Sequence, residues 1–85
     1  MKHIYIIGAG SFGTAIANQL SFNTENKVCL ICRGEEQEKE INKEHTNLRY
    51  FPNKTLHDSL AASASLSSLS NADIVFMALP TAALK

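Results

Sequence analysis

The segment GAGSFG, residues 8–13, constrains the fold more than any other part of this chain, because the residue pattern changes its period there. The preceding residues 3–7, HIYII, are β-branched and aromatic without clean alternation, as expected of a parallel strand that is buried on both faces. From Ser11 onward the pattern is helical. The apolar residues that recur every four positions there are Phe12, Ile16 and Leu20. We therefore expect a strand, a glycine turn and a helix, with Ser11 as a suitable N-cap.

The rest of the chain continues the alternation of strands and helices. The charged segment 34–45 predicts a solvated helix rather than an acidic interaction patch, with Ile41 facing inward, and residues 66–69 predict a short helix. The further strands are predicted at residues 27–32, 62–65 and 74–79. Such alternation implies right-handed crossovers between parallel strands. The prediction is an α/β fold, an incomplete doubly wound parallel sheet of the Rossmann type with about four strands.

Length and charge limit the function classes. The chain has 85 residues, which we interpret as residues 1–85 of one dinucleotide-binding domain, its N-terminal part, with no second domain. Eight basic residues balance eight acidic ones, which argues against a nucleic acid or an anionic membrane as partner. No apolar run approaches the roughly 18–20 residues of a membrane span, and the start does not resemble a signal peptide. We expect a cytoplasmic protein without membrane insertion.

The two cysteines form a C-x-x-C pattern, Cys29 and Cys32. A redox pair or half a zinc site is one interpretation, and two small core residues in a strand is the favoured one. Strand residues three apart lie roughly 10 Å from each other, whereas a disulfide needs Cα atoms within about 7 Å.

The three glycines of GAGSFG fit the dinucleotide pattern G-x-G-x-x-G, and their position between a strand and a helix supports that interpretation. Gly8 suits the tight turn, Gly10 the approach of a pyrophosphate, and Gly13 the close packing of helix on strand. A P-loop is excluded because Thr14 stands where that motif has a lysine.

The end of the second strand bears on the choice of dinucleotide. NAD-selective folds usually carry an acidic residue about 20 positions past the glycines, and here Arg33 occupies that place. A guanidinium suits a ribose 2′-phosphate, so NADP is favoured over NAD, with use of both allowed. Arg33 could also stack on the adenine, or be a surface residue that pairs with Glu36.

Several stretches together resemble the N-terminus of the bacterial NAD(P)-dependent glycerol-3-phosphate dehydrogenases. The resemblance covers essentially the whole chain, and its specific elements are the aromatic at Phe12 and the segment NLRYFP. The matching stretches are Gly8–Ala15, Arg33, Asn47–Pro52 and Ala72–Thr81.

This resemblance implies that the full-length protein reduces dihydroxyacetone phosphate to sn-glycerol 3-phosphate for glycerophospholipid synthesis, and it is compatible with a homodimer. The residues it implies as cofactor-binding, together with the glycine pattern, are Gly8, Gly10, Ser11, Phe12, Gly13, Arg33, Tyr50 and Pro80. The catalytic lysine of the family is expected beyond Lys85, so no catalytic residue is assigned and the 85-residue chain is expected to be inactive alone.

Two alternatives remain at this stage. One is a non-catalytic module that senses NAD(P), although such modules commonly keep an acidic residue where Arg33 stands. The other is a truncated, inactive product. Related hydroxyacid or ketopantoate-type reductases share the glycine loop, but we do not expect the segment NLRYFP in them.

Overall fold

The computed structural model describes residues 2–52 and 54–78. The elements are β1 (Lys2–Ile7), α1 (Ser11–Ser21), β2 (Asn26–Ile31), α2 (Glu35–Lys39), a π-helical turn (Glu40–Glu44), β3 (Ala61–Ser63), a 3-10 helix (Leu66–Asn71) and β4 (Ile74–Met77). Every predicted strand and helix is present with bounds shifted by one or two residues, except that Leu79, the predicted end of the last strand, lies outside the described residues. The predicted charged helix continues from α2 into the π-helical turn, and Ile41 is fully buried there as expected.

The four strands form one parallel sheet in the order β3-β2-β1-β4. This order confirms the Rossmann-type α/β prediction, because it matches the first four positions of the dinucleotide-binding sheet. The register sets Ile7 of β1 opposite Ile31 of β2 and Met77 of β4. The carboxyl ends of these three strands therefore lie level at one edge of the sheet, with the topological switch point between β1 and β4.

The core lies between the sheet and the segments packed on it. Its largest fully buried apolar side chains come from β1, β2, the π-helical turn and the segment that leads to β3, and they are Ile6, Val28, Leu30, Ile41 and Leu60. β4 stands at the end of the described sheet, and its side chains Val75, Phe76 and Met77 are exposed. No helix among the described residues is both long enough and apolar enough to cross a membrane.

The buried face of α1 differs from the predicted one. Phe12, the first residue of the expected apolar stripe, is 70% exposed, whereas Ile16 and Leu20 pack only partly against the core. The residues of α1 that are buried are small: Gly13, Thr14, Ala17 and Ser21. Small side chains let the helix axis approach the sheet closely, which a face of large apolar residues would prevent. The N-cap is also Gly10 rather than Ser11, and Gly10 has no side chain that could offer a capping group.

The two cysteines are free thiols, and neither has the surroundings of a reactive one. Cys29 lies in β2 and is half-buried, while Cys32 is buried one residue beyond the strand, with its N–H donating to the carbonyl oxygen of Ser63 at 2.9 Å. Burial, with a smaller contribution from the nearby Glu38 carboxylate, raises the pKa of Cys32 from 9.0 to about 11. The interpretation as two small core residues in a strand is met in part: Cys29 lies in the strand but is half-buried, and Cys32 belongs to the core but follows the strand.

Candidate functional site

The glycine turn after β1 requires glycine at its first position. Gly8 has φ of 113°, a region that L side chains rarely adopt. Its N–H donates to the carbonyl oxygen of Ile31 at 3.1 Å, which extends the β1–β2 pairing by one residue before the chain turns away from the sheet. Gly8 thus makes the tight turn that the motif predicts.

Gly13 is required by packing. A Cβ added there would overlap the carbonyl oxygen of Gly8 and lie 3.2 Å from the Cβ of Ala78. The first turn of α1 therefore rests directly on the backbone of the glycine turn and on the residue that follows β4. This is the close contact between helix and strand that the spacing of the glycines predicts.

Gly10 has room for a side chain among the described residues. Its φ of −81° suits any residue, and a Cβ built on it would meet no atom of residues 2–52 and 54–78 within 4 Å. The carbonyl oxygen of Gly10 accepts the N–H of Thr14 at 3.0 Å, and so begins the hydrogen-bond ladder of α1. The N–H groups of the first turn have no partner within the helix, and the positive end of the helix dipole lies there. This helix end has room and donors for an anionic group, and it fits the pyrophosphate of a dinucleotide.

The structure describes four of the other five predicted site residues, and two of them directly follow Gly10. Ser11 and Phe12 begin α1 and are exposed beside Gly10. Arg33 is exposed two residues beyond the end of β2, at the same edge of the sheet. Pro80 lies outside the described residues, although Ala78 donates its N–H to the carbonyl oxygen of Ile7 at 2.8 Å, at this same edge.

Tyr50 belongs to a compact turn between the π-helical turn and β3. Its N–H and that of Phe51 donate to the carbonyl oxygen of Asn47, at 3.1 and 2.8 Å. The ring is 38% exposed, and the guanidinium carbon of Arg49 lies 5.5 Å from its centroid. The Glu40 carboxylate accepts from the Thr46 hydroxyl at 2.8 Å and from the Leu48 N–H at 2.9 Å, and so holds the start of this turn.

A buried amide network beneath the glycine turn was missed by the sequence analysis. Asn47, 1% exposed, donates from Nδ2 to the carbonyl oxygen of Ala9 at 3.1 Å and to the Thr14 hydroxyl at 2.8 Å. Gln37 of α2 donates from Nε2 to the same Ala9 oxygen at 2.8 Å and to Asn47 Oδ1 at 3.1 Å. The sequence signal for it is the presence of Asn47 in the segment NLRYFP, which also contains Tyr50.

The described part of the chain shows no cluster of side chains that could bind a metal ion. Within residues 2–52 and 54–78, no three His, Cys, Asp or Glu side chains lie where they could share one metal ion. The groups exposed around the glycine turn and beyond the end of β2 are backbone N–H groups, the Arg33 guanidinium and the rings of Phe12 and Tyr50.

Comparison with known proteins assigns the family. A family model described as NAD-dependent glycerol-3-phosphate dehydrogenase N-terminus matches residues 3–85. Glycerol-3-phosphate dehydrogenase [NAD(P)+] from Neorickettsia sennetsu is 39% identical over 80 residues, covering 94% of this chain and 24% of its own length. The enzyme of the same name from Mesoplasma florum is 41% identical over 85 residues, covering 99% of this chain and 25% of its own length.

Comparison with solved structures finds the same kind of enzyme as comparison of the sequences. A solved structure of glycerol-3-phosphate dehydrogenase from Plasmodium falciparum superimposes with a TM-score of 0.86 at 26% identity, over 98% of this chain and 26% of that one. The chain spans about a quarter of the length of these relatives. It belongs to the family of the NAD-dependent glycerol-3-phosphate dehydrogenase N-terminus.

Proposed function

We propose that residues 1–85 are the N-terminal part of the dinucleotide-binding domain of an NAD(P)-dependent glycerol-3-phosphate dehydrogenase. The observation that carries the proposal is the space beside Gly10, at a helix N-terminus that Gly8 and Gly13 hold tightly against the sheet. A Cβ on Gly10 would meet no atom of residues 2–52 and 54–78 within 4 Å, so a ligand has room beside the backbone there.

The cofactor roles follow from position around this turn. The N–H groups that begin α1 would bind the pyrophosphate, with Ser11 and Phe12 exposed beside it. Tyr50 presents a partly exposed ring on the turn that Asn47 joins to the glycine loop. Pro80 is proposed from the resemblance alone to shape the loop on the nicotinamide side. When bound, the nicotinamide supplies the hydride chemistry.

NADP is the proposed preference. Arg33 is exposed just beyond the carboxyl end of β2, where NAD-selective folds usually carry an acidic residue. A guanidinium matches a 2′-phosphate in charge and in bidentate geometry. The relatives carry the designation [NAD(P)+], which is compatible with either dinucleotide.

The reaction is proposed for the protein that carries this segment at the length of its relatives. It would reduce dihydroxyacetone phosphate to sn-glycerol 3-phosphate for glycerophospholipid synthesis in the cytoplasm, in an enzyme that can form a homodimer. The described residues supply the binding part of this chemistry, and no catalytic residue is proposed among them.

Titration of the 85-residue chain with NADPH tests the proposal. We expect the wild-type chain to bind and Gly10→Val to lose binding, because the valine side chain would occupy the space left for the pyrophosphate. Thr24→Val is the control, since Thr24 is exposed just before the amino-terminal end of β2, at the opposite edge of the sheet. If calorimetry gives the same affinity for Gly10→Val and Thr24→Val, the glycine turn is not the cofactor site.

A further inference from the structure

We propose that Asn47 is a positioning residue of the cofactor site, which acts by fixing the direction of the Gly10 N–H. This inference rests on the proposed function, because it assigns a role toward the pyrophosphate that the glycine turn would bind. Asn47 itself is buried and touches the Ala9 carbonyl from the protein side.

Three side chains have a donor group within 3.5 Å of the carbonyl oxygen of Ala9. The Ala9 oxygen accepts from Gln37 Nε2 at 2.8 Å and from Asn47 Nδ2 at 3.1 Å, and the Thr14 hydroxyl stands 3.5 Å away. Asn47 links the other two donors, because its Oδ1 accepts from Gln37 and its Nδ2 donates to Thr14. Ala9 is 8% exposed, so its carbonyl has little solvent to turn toward.

The direction of that carbonyl determines the direction of the next N–H. The peptide bond between Ala9 and Gly10 is planar and trans, so its C=O and N–H point in opposite directions. With the Ala9 oxygen held toward the buried amides, the Gly10 N–H is aimed away from them, on the open side of the turn. A donor that is aimed before the ligand arrives costs no reorganisation when a phosphate oxygen binds.

Asn47 also couples this donor to the turn that carries Tyr50. Its carbonyl oxygen accepts the N–H groups of Tyr50 and Phe51, while its side chain holds Ala9. Asn47, which lies 38 residues from Ala9 in sequence, thus sets the relative position of the glycine turn and the Tyr50 turn. This explains why a polar residue occupies a fully enclosed position.

The test compares two isosteric substitutions. Asn47→Asp keeps the shape but replaces the Nδ2 donor by an oxygen that faces the Ala9 carbonyl, which would turn that peptide away. Asn42→Asp is the matched control, because the Asn42 amide also makes hydrogen bonds inside the fold. Its Nδ2 donates to the Ala62 carbonyl oxygen at 3.0 Å and its Oδ1 accepts the Ala62 N–H at 2.8 Å, in β3 rather than at the glycine turn. Both variants lose the donor half of a side-chain amide.

We expect both variants to lose stability in urea denaturation and only Asn47→Asp to lose affinity for NADPH in calorimetry, by about 10- to 100-fold, the usual value of one hydrogen bond to a charged group. In 15N-labelled chain, NADPH should shift the Gly10 amide resonance in the wild type and in Asn42→Asp, with a clearly smaller shift in Asn47→Asp.

If Asn47→Asp does not fold, Gln37→Met removes a donor to the same Ala9 oxygen from a half-buried position, and the same loss of affinity relative to Asn42→Asp is expected. Equal NADPH affinity of the folded variant and Asn42→Asp overturns the inference while leaving wild-type binding intact. Absence of binding by the wild-type chain overturns the proposed function, and the inference with it.

Discussion

Substituting Gly13 by alanine tests the packing of α1 on the glycine turn without adding more than one methyl group. The added Cβ would overlap the carbonyl oxygen of Gly8 and come within 3.1 Å of its carbon. Both atoms belong to backbone, and Gly8 is already fixed at φ of 113° by its place in the turn, so the neighbour cannot move cheaply. The helix would have to shift away from the sheet.

The magnitude follows from two opposing effects. Overpacking of a tight site costs about 1–3 kcal/mol, and occasionally more. Alanine gains at most about 1 kcal/mol over glycine in a helix, and less in the first turn, where Gly13 stands. We expect a net loss of about 1–3 kcal/mol in the free energy of unfolding, a melting temperature lower by about 5–20 °C for a domain of this size.

The assay is urea or thermal unfolding followed by circular dichroism, with Gly10→Ala as the matched control. A Cβ on Gly10 meets no described residue within 4 Å, so this variant should unfold within about 1 kcal/mol of the wild type. A Gly13→Ala chain as stable as the wild type, or more stable as helix propensity alone would give, would refute the close packing of α1 described above.

Three further measurements address other parts of the chain. Arg33→Asp should weaken NADPH binding more than NADH binding, and equal weakening of both would remove Arg33 as the reader of a 2′-phosphate. Stability should fall as pH rises from about 9 to about 11, because the pKa of Cys32 is 9.0 in its ordinary state and about 11 when folded, so the unfolded chain releases its proton first. Cys32→Ala should lessen this fall in pH-dependent urea titrations, and an unchanged slope would contradict the buried thiol. Ile41→Ala should cost about 2–5 kcal/mol in the same titrations, since Ile41 is fully buried, and a loss below 1 kcal/mol would place it outside the core.

The candidate site was predictable where it depends on single residues and short spacings. The turn at Gly8 and the packing of Gly13 followed from a local pattern, since each glycine meets a demand made by a strand and a helix directly joined to it. The place of Arg33 near the end of β2 followed from counting about 20 residues past the glycines. The wrong N-cap, Ser11 in place of Gly10, is an error of one residue at a helix end, where sequence signals are weakest.

The burial of Asn47 could not be predicted from the amino-acid sequence. Its partners are Ala9, Thr14 and Gln37, which lie 38, 33 and 10 residues away in sequence. An asparagine in a segment of turns is most often solvated, and nothing next to it signals an enclosed position.

The sequence by itself determined the class of fold and the location of the glycine turn between β1 and α1, because periodicity and the conformational freedom of glycine are local properties. The tertiary structure decided which face of α1 is buried and how the glycine turn is held. Phe12 belongs to the apolar stripe yet is exposed, because the face of α1 that packs against the core is the one with the small residues Gly13, Thr14, Ala17 and Ser21. The direction of the Gly10 N–H depends on amides brought from α2 and from the Tyr50 turn, and only the folded chain brings those segments together.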